Sequence, residues 1–302
     1  MNKKTIVKII ITTWLISGLA IFACRSDAQR SSASTTASTD DTLTPSNTAV
    51  LTITAATGTT VSPAPTTSTA TGTAASPSPT PEPSLYKQHK NSPATTIIDI
   101  TGRKKRELKT MFYIRKIDDD TFESMQGKSY PKNCPIKRDD LRRVRILYYG
   151  YDHETHIGEL IVNKKRAVDF RDIFRILYCK KYEIEKVQPI DAYDGNDTRS
   201  MKANNTSCFN YRVVEGTTSI SKHAYGVAID INPRINPYVY WENGKKKVSP
   251  KNGRMYADRS KTYDHPIITH DDICYKLFHK RGYFWGGDWI TIKDYQHFQK
   301  PL

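Results

Sequence analysis

Acidic residues are in short supply. The 302-residue chain holds 31 Asp and Glu against 46 Lys and Arg, a formal net charge of +15, and no carboxylate side chain precedes Asp27. Residues 85–302 carry 41 of the basic and 27 of the acidic side chains, so most of the surplus lies there. A basic surface suits a polyanion such as teichoic acid or anionic lipid, and it equally describes a plain solvated surface. No nucleic-acid motif is present, which argues against nucleic acid as a partner. Cysteine is sparse: there are five, and no two are spaced as CxxC, which argues against a thiolate zinc site. Cys134, Cys179, Cys208 and Cys274 allow three disulfide connectivities, and the sequence does not choose among them. Large apolar and charged residues are scarce from Ser31 to Thr80, where about half of the residues are Ser or Thr. Such a stretch cannot bury enough surface to offset its chain entropy, so residues 25–84 are expected to form a disordered linker. Internal repeats are absent.

What is present begins at the N-terminus. Lys3, Lys4 and Lys8 accompany an apolar run from Ile9 to Ala23, interrupted by Thr12, Thr13 and Ser17. This is the pattern of an export signal. Ile21-Phe-Ala-Cys24 resembles a lipobox, in which residues 1–24 act as the signal and Cys24 is lipidated. Cleavage after Ala28 and retention as an uncleaved anchor are the alternatives. Each outcome places the remainder outside the cytoplasm, as a membrane lipoprotein or a secreted protein.

A folded domain is expected over 85–302. Residues 114–136 read as mixed polar turns, and 139–143 as a short helix. Strands are expected over 144–151 and 157–162, joined by a turn. Val168, Phe170, Ile173, Phe174, Leu177 and Tyr178 have the spacing of a helix over 165–182 that packs one face on a sheet. Further strands are expected over 187–193 and 209–213, with a polar loop between them at 194–200. Pro233, Pro237 and Pro250 mark a long loop holding Tyr238, Tyr240 and Trp241. A second helix over 269–280 has capping-box spacing at Thr269 and Asp272 and ends at Gly282. Residues 283–285 and 295–299 read as the last strands. Runs of strands with two segregated helices predict an α+β fold with a mainly antiparallel sheet.

The chemistry gathers around Ser221-Lys-His-Ala-Tyr-Gly-Val-Ala-Ile-Asp230. Val227, Ile229 and Ile231 alternate with Ala228, Asp230 and Asn232, the period of a half-buried strand. His223 on the approach and Asp230 on the strand can converge on one cation. Near the C-terminus Asp294-Tyr-Gln-His297 follows the Gly286-Gly287 pair and supplies a second imidazole. Two His and one Asp make a three-ligand zinc set with a fourth position open, the arrangement of a catalytic site. Asp294 and His297 are three apart, so a straight strand would point them to opposite faces. A bend is required there. His153 and His156 read as surface residues, with adventitious metal binding as the alternative, and His265, His270 and His279 lack metal-like partners.

Ser221-x-His223-x-x-Gly226-x-x-x-Asp230 followed by Asp294-x-x-His297 resembles the zinc D-alanyl-D-alanine carboxypeptidase/dipeptidase family. Its relatives include the L-alanyl-D-glutamate endopeptidases of phage endolysins and the hedgehog signalling domain. The resemblance extends through residues 200–212, Asp230-Ile-Asn-Pro233, Asn236-Pro-Tyr238 and Trp285-Gly-Gly-Asp-Trp289, and covers roughly residues 110–302. It implies a hedgehog/DD-peptidase-like fold, zinc held by His223, Asp230 and His297, and Asp294 as general base, where some relatives have Glu. Arg212 resembles the arginine that relatives place at the site, where it can bind a substrate carboxylate or an oxyanion; a salt-bridged surface arginine is the alternative. Asn205 and Ser207 can orient it or line the cleft. Ser221 holds the His223 loop, and Trp289, Trp285, Tyr238 and Tyr240 wall the groove or fill the core. The resemblance implies a peptidase of peptidoglycan stem peptides. It acts either on the terminal D-Ala-D-Ala bond, the favoured reading, or on the L-Ala-D-Glu bond, and a non-catalytic wall-binding module of the same fold is the rival.

Overall fold

The computed structural model describes residues 83–214 and 217–302. The export signal, Cys24 and all but the last two residues of the expected linker lie outside the described residues. The chain divides into two units, Met1–Thr80 and Pro81–Leu302, and the second is the one described here.

Its first part holds α1 (Leu85–His89), α2 (Lys105–Lys109), β1 (Tyr113–Lys116), α3 (Asp119–Met125), β2 (Leu141–Tyr149), β3 (Thr155–Asn163) and α4 (Ala167–Cys179). β1, β2 and β3 form an antiparallel sheet in that order. Phe170, Ile173, Phe174 and Leu177 of α4 are buried with Ile146, Leu147 and Leu160 of the sheet, while Val168 faces out at 53 % exposure. The helical stripe read from the sequence is the packed face except at Val168, which lies outside it. Residues 114–136 are more ordered than expected. β1 is an edge strand on β2, and Asp118 caps α3 by accepting from the Thr121 N–H.

β4 (Lys186–Val187), α5 (Asp197–Lys202) and β5 (Asn205–Thr206) follow. β4 and β5 pair in parallel. The strand expected over 187–193 stops at Val187, because Pro189 has no N–H to donate and leads into a 3-10 turn at Ile190–Tyr193. The loop expected at 194–200 instead starts α5, capped by Asn196. Residues 209–213 form no strand. Their backbone is used singly, with Phe209 N donating to Ile161 O, Asn210 N to His223 O and Tyr211 N to Ser129 O.

The last part holds β6 (Ala228–Asp230), β7 (Tyr238–Glu242), β8 (Lys245–Ser249), α6 (Ile273–Lys280), β9 (Phe284–Trp285), β10 (Lys293–Asp294) and β11 (His297–Gln299). They make two antiparallel sheets, β6-β11-β9 and β10-β7-β8. The expected loop over 233–250 is thus a hairpin in its second half. Asn243 and Gly244 both take positive φ, as a two-residue hairpin turn demands. Asp272, rather than Thr269, caps α6. The fold is α+β with mainly antiparallel strands, as expected. Cys134, Cys179, Cys208 and Cys274 form no disulfide with one another.

Candidate metal centre

Three backbone segments meet at one point. β6 is buried along its whole length, not half-buried, and both of its edges are paired, by β11 on one side and by the Ser207–Asp230 bridge on the other. His297 lies directly opposite Asp230 in the β6–β11 register. Phe298, next to it, stacks on Phe278 of α6 at 4.4 Å and anchors β11 in the core. His223 arrives on a 3-10 turn, Lys222–Tyr225. Ser221 Oγ caps the turn by accepting from the His223 N–H, and Gly226 ends it at φ +65°. A Cβ on Gly226 would stand 2.6 Å from the Asn163 amide nitrogen, which donates to Gly226 O. Only glycine allows that approach.

The ligating atoms converge. His223 Nε2, His297 Nδ1 and Asp230 Oδ1 lie 3.1 Å (His–His), 3.1 Å (His297–Asp230) and 3.3 Å (His223–Asp230) apart. A tetrahedral ion with bonds of about 2.0–2.1 Å spaces its ligands by about 3.3–3.4 Å, so this triangle fits one with little adjustment. Both rings are oriented from behind. His223 Nδ1 donates to Cys208 O at 2.7 Å, and His297 Nε2 donates to Gln299 Oε1 at 3.1 Å, which turns the opposite nitrogen of each ring toward the triangle. All three residues are buried. Among the described residues, this is the one set of three such side chains whose ligating atoms converge.

The charges of these groups are tightly coupled. Burial opposes ionisation of Asp230, but His223 and His297 outweigh it and hold its carboxyl well below the usual range. Burial likewise opposes protonation of His297, and Asp230, Asp294 and Gln299 outweigh it, lifting the imidazole to about 9. Asp294 stands beside this group rather than in it. Burial pushes its carboxyl up to about 7, with His297 pulling down and Asp230 pushing further up. Its Oδ1 is buried and has no hydrogen-bond partner, a vacancy that suits a reacting group.

The required bend is real. Asp294 ends β10, which pairs with β7, while His297 begins β11, which pairs with β6, and Tyr295-Gln296 turn between the two sheets. The Gly286-Gly287 pair matters here. A Cβ on Gly286 would lie 2.6 Å from Asp294 O and 2.7 Å from Asp294 Cβ.

Other expected site residues divide. Trp289 is half-buried with its ring 5.4 Å from that of His297, and forms a wall. Ser207 exchanges two backbone hydrogen bonds with Asp230 and flanks it. Asn205 does not line the cleft. It is fully buried, and its amide is taken up by Gln188 and Ser200. Arg212 is salt-bridged to Asp197 at 2.7 Å, and its carbonyl accepts from Ser221 N. Trp285 is core, its indole donating to Tyr295 O. Tyr238 lies opposite Asp294. His156 is buried, not superficial: Asp152 binds its Nε2 and its ring stacks on Tyr148. His153 and His265 bind opposite oxygens of Glu183, and His270 pairs with Asp288. Two supporting groups escaped the sequence reading. Gln299 shares the His297 face two residues on and was legible as a period-2 neighbour; the Cys208 carbonyl has no sequence signal.

Residues 215–300 match the D-alanyl-D-alanine carboxypeptidase family. No curated protein and no solved structure matches the chain. The carboxypeptidase match bears out the resemblance over this segment and points to peptidase chemistry. It takes in His223, Asp230, Asp294 and His297, and leaves Asn205, Ser207 and Arg212 outside.

Proposed function

We propose that the protein is a zinc-dependent D-alanyl-D-alanine carboxypeptidase that trims peptidoglycan stem peptides outside the cytoplasm. The observation that carries this reading is the coincidence of the converging His223–Asp230–His297 triangle with the segment matched to the carboxypeptidase family. When bound, zinc supplies Lewis acidity at the scissile carbonyl. The chain's own residues do the rest. His223, Asp230 and His297 hold fixed directions set by Cys208 O, the β6–β11 register and Gln299. Asp294 takes a proton from the attacking water and hands it to the leaving amine. Its buried setting lets it hold that proton between the two transfers. Trp289 walls the cleft on the His297 side. Arg212 receives the substrate's terminal carboxylate in exchange for Asp197, a like-for-like replacement of one carboxylate by another. Lipidation at Cys24 tethers the enzyme to the membrane, and the Ser/Thr-rich linker gives it reach into the wall.

The test is incubation of the purified full chain with defined muropeptides, with and without a zinc chelator, and identification of the products by mass. Chelator-sensitive loss of one terminal D-alanine is the expected result. Cleavage between L-Ala and D-Glu would reassign the protein as an endopeptidase, and no product from the zinc-loaded chain would leave the wall-binding module as the reading.

A further inference from the structure

The sheet that ends on Asp294 extends away from the metal centre. Asp294 lies opposite Tyr238 across β10 and β7; across β7 and β8, Tyr240 lies opposite Lys247 and Glu242 opposite Lys245. Directly opposed residues project from one face, and alternate residues along a strand share it. Asp294, Tyr238, Tyr240, Lys247 and Lys245 therefore occupy a single face. The two tyrosine rings stack 5.0 Å apart at 18°, and both are half-buried. Beyond them Lys245 is exposed, and Lys247 is partly exposed and paired with Glu242 at 3.3 Å. Residues 245–254 hold Lys245, Lys246, Lys247, Lys251 and Arg254 and no acidic residue. By strand spacing and rise, Lys247 stands about 12 Å from Asp294. That is the reach of about three or four residues of extended peptide.

We propose that this face is the far part of the substrate cleft. Tyr238 and Tyr240 support an extended peptide, and Lys247, with Lys245 beside it, takes a carboxylate about three or four residues from the cleaved bond. The proposal rests on the peptidase reading above and narrows its substrate to acidic peptides. Exposed ion pairs contribute little, so Glu242 gives up Lys247 to a substrate carboxylate at little cost.

The experiment compares two peptides that differ only in whether the acidic side chain at that distance is free or amidated. The zinc-loaded full chain is assayed beside Lys247→Gln, Lys245→Gln/Lys247→Gln and Tyr240→Leu. The unaltered chain is expected to show a KM about tenfold lower for the free acid, at similar kcat. The double variant should lose that preference while keeping its zinc and its kcat on the amidated peptide. Tyr240→Leu should weaken both peptides alike. Absence of a preference in the unaltered chain, or an equal loss on both peptides in the lysine variants, would overturn the proposal. Failure of the zinc-loaded chain to cleave either peptide would count against the peptidase reading instead. Titration of the same two peptides by NMR would then still decide the surface: tighter binding of the free acid, abolished in the double variant, supports it, and equal binding refutes it.

Discussion

Two carboxylates share one small volume and are set up for different work. Asp230 is locked on a buried strand opposite His297, with its oxygen in the ligand triangle, whereas Asp294 approaches from another sheet with one oxygen unclaimed. Asp294→Asn should therefore keep near-stoichiometric zinc and lose turnover by about 10²–10⁴. Asp230→Asn should lose the zinc itself. Elemental analysis beside a muropeptide assay checks both, and the opposite pattern would exchange the two roles. The protonation of His297 leads to a second expectation. Its imidazole, lifted to about 9 in the metal-free site, must shed a proton to serve as a ligand. Below that pH, zinc affinity should fall about tenfold per pH unit as the pH is lowered, because proton and ion compete for one nitrogen. Calorimetry at pH 8 in buffers of different ionisation enthalpy should show about one proton released per zinc. A pH-independent affinity between 7.5 and 9 would contradict the imidazolium–carboxylate pair.

At the scale of elements, the site depends on turns that bring strands from different sheets together. Gly286 lets the β9 end pass against Asp294, where a methyl group would overlap the backbone. Gly286→Ala should cost about 1–3 kcal/mol in stability through overpacking. It should also depress turnover more than zinc content, since Asp294 moves while His223 and Asp230 do not. Thermal denaturation, zinc analysis and rate measured together would show this, and an unchanged rate would mean that Asp294 needs no such placement. The same logic makes α6 part of the site: its Phe278 holds Phe298, and Phe298 carries the register that sets His297 against Asp230.

For the whole molecule, the described residues have a continuous core joining α4, the β1-β2-β3 sheet, α6 and β11. A fragment of residues 81–302 should fold on its own and match the full chain in melting temperature. On the proposed zinc reading only the assembled triangle binds the ion, so saturating metal should stabilise this unit, by about 2.7 kcal/mol at a free concentration one hundred times the Kd. A melting temperature indifferent to chelator would show that the triangle is not the zinc site.

By itself, the sequence determined what is local. The β2–β3 hairpin was legible as two apolar runs around a polar turn, and α4 as a 3.6-residue stripe, because both signals survive without knowledge of partners. His223, Asp230, Asp294 and His297 were legible as a set because their residue types and spacings are chemically distinctive. Asn243-Gly244 was equally local and marks the β7–β8 turn, yet the prolines around it suggested a loop. The tertiary structure decided everything that depends on two segments meeting. Only the β6–β11 register puts His297 against Asp230, and only the jump from β10 to β11 separates the Asp294 carboxylate from the triangle. Asn205 looked available until packing buried it, and the salt bridge that was one of two readings of Arg212 gained its partner only when α5 brought Asp197 within 2.7 Å. Burial and ion pairing are properties of neighbours distant in the chain, and no window of sequence contains them.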